Sequence, residues 1–126
     1  MQSTKQKIER AALAGLAAAS MDERERSTDI SLAELAALVE TAGGQPVVTL
    51  LQNKPTPDPR TFLGEGKVAE LRELIVANDC DLAVFDNELS PSQMRVLEEE
   101  LGVKLFRRSQ YRVVLTDDGM LLRRRA

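Results

Sequence analysis

Apolar residues along this chain follow two alternating patterns. Short runs of consecutive apolar residues are typical of buried parallel strands, whereas apolar residues three or four positions apart are typical of helices that bury one side. The runs predict four strands, at Ala11–Ala17, Pro46–Leu51, Asp81–Phe85 and Val103–Phe106. The spaced patterns predict three helices, which begin at Ser31, Glu65 and Ser90.

The first apolar run, AALAGLAAA at Ala11–Ala19, fits two structures when it is taken alone. Alanine favours helix, but the segment is short, contains Gly15 and has no polar side, as expected of a buried strand. The alternation of helices and strands that follows favours the strand. The helix beginning at Ser31 then serves as the crossover to the second strand.

Residues that commonly begin and end helices mark the helix boundaries. Ser31 and Glu34 have the spacing of a capping box. Pro91 follows Ser90 at the first helical position, where the N–H that proline lacks has no helical partner. Gly102 has the residue type that commonly ends a helix.

Three segments do not have the pattern of a regular buried element. Ser20–Ile30 is charged and lacks periodicity, and Asn53–Arg60 contains three prolines, so both are predicted loops. Near the C-terminus, residues 112–123 could form a hairpin around Asp118 and Gly119. A frayed helix is the competing interpretation of that segment.

Together these elements predict an α/β protein. The architecture is three layers, α/β/α, around a small, mostly parallel sheet of about four strands with flanking helices. We assign residues 1–10 to a polar leader, residues 11–106 to this domain and residues 107–126 to a basic C-terminal tail.

Composition excludes several classes of catalytic site. The chain has no histidine and one cysteine, Cys80. A Ser-His-Asp triad, a Cys-His pair and a zinc site are therefore not expected. A single cysteine fits a reducing compartment, and no signal peptide or membrane span is evident. We expect a cytoplasmic protein without a metal, with neither a membrane nor DNA as partner.

Charge is unevenly distributed along the chain. The net charge is −3, but residues 104–126 carry +5 and residues 1–103 carry −8. A basic end on an acidic body is either a solvated terminus or a contact for an anionic partner.

The GEGK sequence at Gly64–Lys67 has the appearance of a phosphate-binding loop. A P-loop requires an additional glycine and a final hydroxyl residue, and Thr61 and Val68 occupy those positions. A dinucleotide fingerprint is also excluded, because the third glycine is lacking. Two interpretations remain: a tight backbone path, or an anion or RNA-phosphate contact at a helix N-terminus.

A second polar group follows the third predicted strand. Asp86, Asn87, Glu88 and Ser90 lie at a strand's carboxyl end, where ligands of parallel sheets usually bind. No further acidic residue is spaced to complete a magnesium site, and capping by Ser90 explains most of the group. The acidic run Glu98–Glu100 is interpreted as a solvated helix face.

Four segments resemble, in order and spacing, the N-terminal domain of the HflX family of ribosome-associated GTP-binding proteins. They lie between Ser31 and Phe106, about three-fifths of the chain. The segments are Glu34–Gly44, Pro57–Lys67, Phe85–Gln93 and Arg95–Lys104.

The resemblance implies an α/β fold, then a helical hairpin and a GTPase domain. It also implies binding to the large ribosomal subunit and splitting of stalled ribosomes, with this domain facing ribosomal RNA; some members are credited with ATP binding there. Carried onto this sequence, the candidate RNA or anion contacts are Lys54, Arg60, Gly64, Gly66 and Lys67. The candidate positions on the strand-end edge are Asp86, Ser90, Pro91 and Gln93.

After Phe106 the sequence departs from the family pattern, and no Walker motif or guanine-reading Asn-Lys-x-Asp follows. We expect a stand-alone or truncated, non-catalytic binding module. It would have no cofactor of its own, since GTP and magnesium would belong to the GTPase domain. Its acidic body predicts weak binding to ribosomal RNA. The alternatives are a nucleotide- or phosphate-ligand-binding domain and a regulatory protein-interaction remnant, with a homodimer through an exposed sheet edge.

Overall fold

The computed structural model describes residues 8–111. The predicted hairpin at 112–123, most of the polar leader and most of the basic tail lie outside the described residues. The elements are β1 (Arg10–Ala18), α1 (Asp29–Thr41), β2 (Gln45–Lys54), α2 (Glu65–Ala77), β3 (Leu82–Phe85), α3 (Pro91–Leu101) and β4 (Lys104–Arg107). A short 3-10 turn at Glu23–Glu25 interrupts the predicted loop between β1 and α1.

The four strands form one parallel sheet in the order β2-β1-β3-β4. Helices α2 and α3 pack on one side of this sheet, and α1 packs on the other. The predicted α/β fold, with a parallel sheet between two helical layers, is therefore confirmed.

The alanine-rich run forms β1, as the alternation of elements predicted. Ala12, Ala14 and Leu16 face α2 and α3, while Leu13 faces α1. Because helices cover both sides of this central strand, it has no polar side. Gly15 also has a packing role, since a Cβ there would lie 2.3 Å from Ser27 Oγ.

The predicted capping box of Ser31 with Glu34 is wrong. The N-cap of α1 is Thr28, whose hydroxyl accepts a hydrogen bond from Ser31 N at 2.9 Å. Ser31 Oγ in turn accepts from Thr28 N at 2.8 Å. Thr28 and Ser31 both carry a hydroxyl that can cap a helix, so the local sequence does not decide between them. With Thr28 as the N-cap, the Ser31 side chain lies within hydrogen-bonding distance of Asp86.

The other helix starts agree with the local signals, and the remaining differences come from tertiary contacts. Strand β2 continues to Lys54 because it pairs with β1 through Ala18. The acidic run of α3 is only partly a solvated face: Glu98 accepts a hydrogen bond from Leu105 N at 3.0 Å, and Glu100 pairs with Arg60 at 3.1 Å.

Candidate functional site

The carboxyl ends of the four parallel strands meet at one edge of the sheet, the usual ligand edge of this architecture. Two groups of polar residues lie there, one on the α1 side and one on the α2 side. We call Gly64–Lys67, at the start of α2, the glycine loop. The Asp86 cluster, on the α1 side, consists of Ser27, Ser31, Asp86, Asn87 and Arg108.

Asp86 is a nearly buried carboxylate, with its side chain 4% exposed. Its Oδ2 accepts hydrogen bonds from Ser27 Oγ at 2.9 Å and from Ser31 Oγ at 2.7 Å. Its Oδ1 accepts from Nη1 of Arg108. The charge is therefore compensated by a guanidinium and two hydroxyls from distant parts of the chain, as a buried carboxylate requires.

Asn87 joins two stretches of backbone: the end of β1, beyond its pairing with β3, and the segment that follows β1. Its Oδ1 accepts from Leu16 N at 2.9 Å. Its Nδ2 donates to Leu16 O and Glu25 O, both at 3.0 Å. The side chain thereby extends the hydrogen bonding of the sheet and holds the segment that follows β1.

A cleft of about 430 Å³ opens beside the Asp86 cluster. Its size falls within the range of small-ligand sites. Its lining is balanced in charge, with Arg24, Arg26 and Arg108 facing Glu25, Asp86 and Glu88. Arg26 already donates to two backbone carbonyls. The buried polar groups that line this cleft are thus mainly hydrogen-bonded within the protein.

The glycine loop differs in having few internal hydrogen bonds. Gly64 N donates to Gln52 Oε1 at 2.9 Å, and no side chain caps the first turn of α2. A Cβ on Gly64 would lie 3.1 Å from Gln52 Nε2 and 3.6 Å from Lys54 Nζ. Glycine therefore lets this backbone lie close against both side chains. A Cβ on Gly66 would enter open space.

The cations predicted as contacts have weak partners or none. Lys67 pairs with Glu70 at 3.0 Å on the surface of α2. Arg60 is directed toward Glu100 of α3. The Lys54 side chain has no hydrogen bond or ion pair to any residue within 8–111, and its charge contributes to lowering the pKa of Asp58. Such exposed pairs contribute little stability, so these cations can exchange partners readily.

The segment leading into the glycine loop is fixed by local hydrogen bonds. Asp58 accepts from Arg60 N at 2.8 Å and from Thr61 N at 3.0 Å. These backbone hydrogen bonds, that from Thr61 first, lower the pKa of the Asp58 carboxyl. Phe62 follows with φ of +69° and an edge-on contact to Phe85. The glycine loop therefore starts from an anchored position.

The remaining predicted edge residues lie on the α2 side and do not join Asp86. Ser90 and Gln93 form the capping box of α3, with Pro91 at its start. Gln93 Nε2 also donates to Asp58 O at 3.2 Å. The structure thus gives Ser90, Pro91 and Gln93 a place in the support of α3 and of the segment before the glycine loop.

Sequence reasoning missed Ser27, Ser31 and Arg108 as members of a polar site. Ser27 and Ser31 are four residues apart at the start of α1. Arg108 lies 77 residues beyond Ser31, and nothing in the spacing connects it with the two serines. The only local signal is an arginine placed directly after a buried strand. Such a site can be recognised only once the order of the strands in the sheet is known.

Other chemistry has no support in the described part of the chain. No group of acidic or cysteine residues there is placed to hold a metal ion. Cys80 is buried, and desolvation raises the pKa of its thiol, which disfavours a nucleophilic role. None of the helices between residues 8 and 111 has the length and apolar character that crossing a bilayer requires.

Comparison with known proteins assigns the family. A family model described as GTP-binding GTPase N-terminal matches residues 29–115. The chain belongs to this GTP-binding GTPase N-terminal family. The match continues beyond Phe106, the end of the resemblance predicted from the sequence.

Relatives of this family member are similar over only part of their length. The GTPase HflX of Alkalihalophilus pseudofirmus is 40% identical over 87% of this chain and 26% of its own length. That of Lacrimispora saccharolytica is 43% identical over 63% of this chain and 19% of its own. That of Escherichia coli is 37% identical over 53% and 16%, respectively. This chain therefore spans about a quarter or less of these relatives.

A solved structure supports the fold of this family member. A crystal structure of an SsGBP mutation variant has a TM-score of 0.60 and 15% sequence identity. The similarity covers 82% of this chain and 30% of that one. At this identity the similarity concerns the fold alone.

Proposed function

We propose that this chain serves as the non-catalytic N-terminal binding domain of an HflX-type GTPase and contacts the large ribosomal subunit through the glycine loop. Membership of the GTP-binding GTPase N-terminal family supports the first part. The GTP and magnesium chemistry of such a protein would belong to a different domain. This domain would position the protein on the large ribosomal subunit and contribute to the affinity for it.

One observation carries the choice of surface: the first turn of α2 has no side-chain cap and lies beside the Lys54 ammonium, which makes no hydrogen bond or ion pair among the described residues. Open helix N-termini and nearby ammonium groups attract phosphate oxygens. The Asp86 cluster offers no comparable group, because its carboxylate and amide are engaged internally. Glu65 and the acidic body oppose an anion, so the expected affinity is modest and strongly salt-dependent.

The test is binding to purified large ribosomal subunits, measured by co-sedimentation across a series of salt concentrations. Lys54→Glu and Lys67→Glu should each weaken binding several-fold. Each should also reduce the slope of log affinity against log salt by about one for a lost phosphate contact. Each lysine is at most weakly paired within residues 8–111, so neither change should alter the unfolding midpoint appreciably.

The matched control is Lys104→Glu, which makes the same charge change at the amino end of β4. It should bind nearly as the unaltered protein does. An equal loss in all three variants would indicate attraction by net charge rather than by this surface. Folded, unaltered protein that fails to bind at every salt concentration would overturn the ribosomal proposal.

Thermal unfolding with ATP and GTP at millimolar concentration separates this proposal from a nucleotide-binding domain. We expect no change in the midpoint. A ligand that binds the native state must raise the midpoint. A concentration-dependent rise abolished by Arg26→Gln would favour a nucleotide in the cleft instead.

A further inference from the structure

We propose that the Asp86 cluster is a latch that holds the segment leaving β4 against α1. The latch is the ion pair between the Asp86 carboxylate and the Arg108 guanidinium, supported by the hydroxyls of Ser27 and Ser31. Opening the latch would release residues 108–111 and leave the sheet folded.

Arg108 is placed to fasten this segment at more than one point. It is the first residue of a helical turn at 108–111 that directly follows β4. Besides Asp86, its Nη1 reaches Ser31 O at 3.4 Å, and its Nη2 lies 3.5 Å from Glu34 Oε1. The guanidinium therefore spans from β3 to the first turns of α1.

Tyr111, the last described residue of this segment, packs against the domain. Tyr111 is 7% exposed and packs against the α1 side of the core. Its ring makes an edge-on contact with Phe106, with centroids 5.9 Å apart. Because Arg108 ties the start of this segment to Asp86 and to the first turns of α1, loss of the partly buried ion pair should loosen the segment and expose Tyr111.

Because the latch lies directly after β4, it bears on the path of the chain that follows. If the proposed function is correct, the chain beyond β4 leads to the remainder of an HflX-type protein. The latch would then set the direction in which that remainder leaves this domain. The turn and its ion pair can be tested without reference to ribosomes, so failure of either proposal is distinguishable from failure of the other.

The sequence supplies a specific probe, since Tyr111 is the only tyrosine and there is no tryptophan. Tyrosine emission therefore reports residue 111 alone, and acrylamide quenching measures its exposure. Arg108→Gln and Asp86→Asn should each raise the quenching constant roughly two-fold, with the far-UV circular dichroism spectrum essentially unchanged, as expected of local opening. Combining them should add nothing further, because both remove the same pair.

Arg24→Gln is the matched control, because Arg24 lines the same cleft but its side chain is 91% exposed and, within residues 8–111, pairs only with exposed Asp22. It should leave quenching unchanged. If Asp86→Asn does not fold, Arg108→Gln alone decides. Folded Arg108→Gln with the quenching of the unaltered protein would overturn the latch. So would an equal rise in the Arg24→Gln variant.

Discussion

The Asp86 cluster and the glycine loop occupy the same edge of one sheet and differ in how their polar groups are satisfied. In the cluster, Asp86 and Asn87 are buried and hydrogen-bonded within the protein. In the glycine loop, Gly64 has one side-chain acceptor, Gly66 faces open space and Lys67 has an exposed partner.

This difference distinguishes residues that stabilise the fold from residues that are available for binding. Their positions in the sequence alone do not make that distinction. A buried polar group with all its partners contributes to the native fold, and removing a partner has a large cost. An exposed cation in a weak pair contributes little to stability and is available for another charge. Substitutions in the cluster should therefore act on the stability of the fold or of the segment that Arg108 holds, and substitutions in the glycine loop should act on binding.

The largest expected effect is at Asn87. Asn87→Ala removes the side-chain partner of the Leu16 amide and of the Glu25 carbonyl, and one of the two donors to the Leu16 carbonyl. It should lower the free energy of unfolding by about 3 kcal/mol, measured by urea denaturation. Asn53→Ala, at an exposed position in β2, is the control and should cost less than about 0.5 kcal/mol. Similar costs for the two variants would remove the distinction between the cluster and the rest of the edge.

The next effect is at Gly15, beneath the cluster. Gly15→Ala places a Cβ 2.3 Å from Ser27 Oγ and 2.6 Å from Ser27 Cβ. It should destabilise by about 2 kcal/mol through overpacking. In the double variant with Ser27→Gly the combined cost should be smaller than the sum of the single costs. Simple additivity would show that the clash is relieved elsewhere.

A smaller effect of opposite sign is expected in the glycine loop. Gly66→Ala meets no neighbour and replaces a helical glycine, so it should stabilise the protein by about 0.5 kcal/mol in thermal unfolding. The same variant should weaken binding to the large ribosomal subunit, because a methyl group then covers the helix backbone. Stabilisation with unaltered binding would show that Gly66 does not lie at the contact with the ribosomal subunit.

The smallest effect concerns Asp58, which leads into the glycine loop. Because its pKa is lowered in the folded protein, its charge stabilises the fold above its ordinary pKa of 3.8, and this contribution is lost as the pH falls through the folded value. Asp58→Asn keeps an acceptor and removes the charge. The variant should be slightly less stable than the unaltered protein at neutral pH and equal to it in acid. A difference that persists in acid would assign the effect to geometry instead of charge.

Local signals in the sequence determined the alternation of helices and strands and the starts of α2 and α3. They did so because capping residues, Pro91 and apolar spacing act over a few neighbouring positions. The motifs of Pro57–Lys67 and Phe85–Gln93 likewise indicated the family that the comparisons established. The sequence alone also excludes a P-loop at Gly64–Lys67, because Thr61 and Val68 occupy the positions where a P-loop requires a glycine and a hydroxyl residue.

Tertiary structure decided the features that depend on partners from distant segments. Thr28 and Ser31 are both competent caps, and the packed structure uses Thr28 as the N-cap while Ser31 also contacts Asp86. Arg108 reaches Asp86 only because β3 and β4 are neighbours in the sheet. The division of one strand-end edge into a closed cluster and an open loop follows from the same cause, since burial and hydrogen-bond partners are properties of the folded chain.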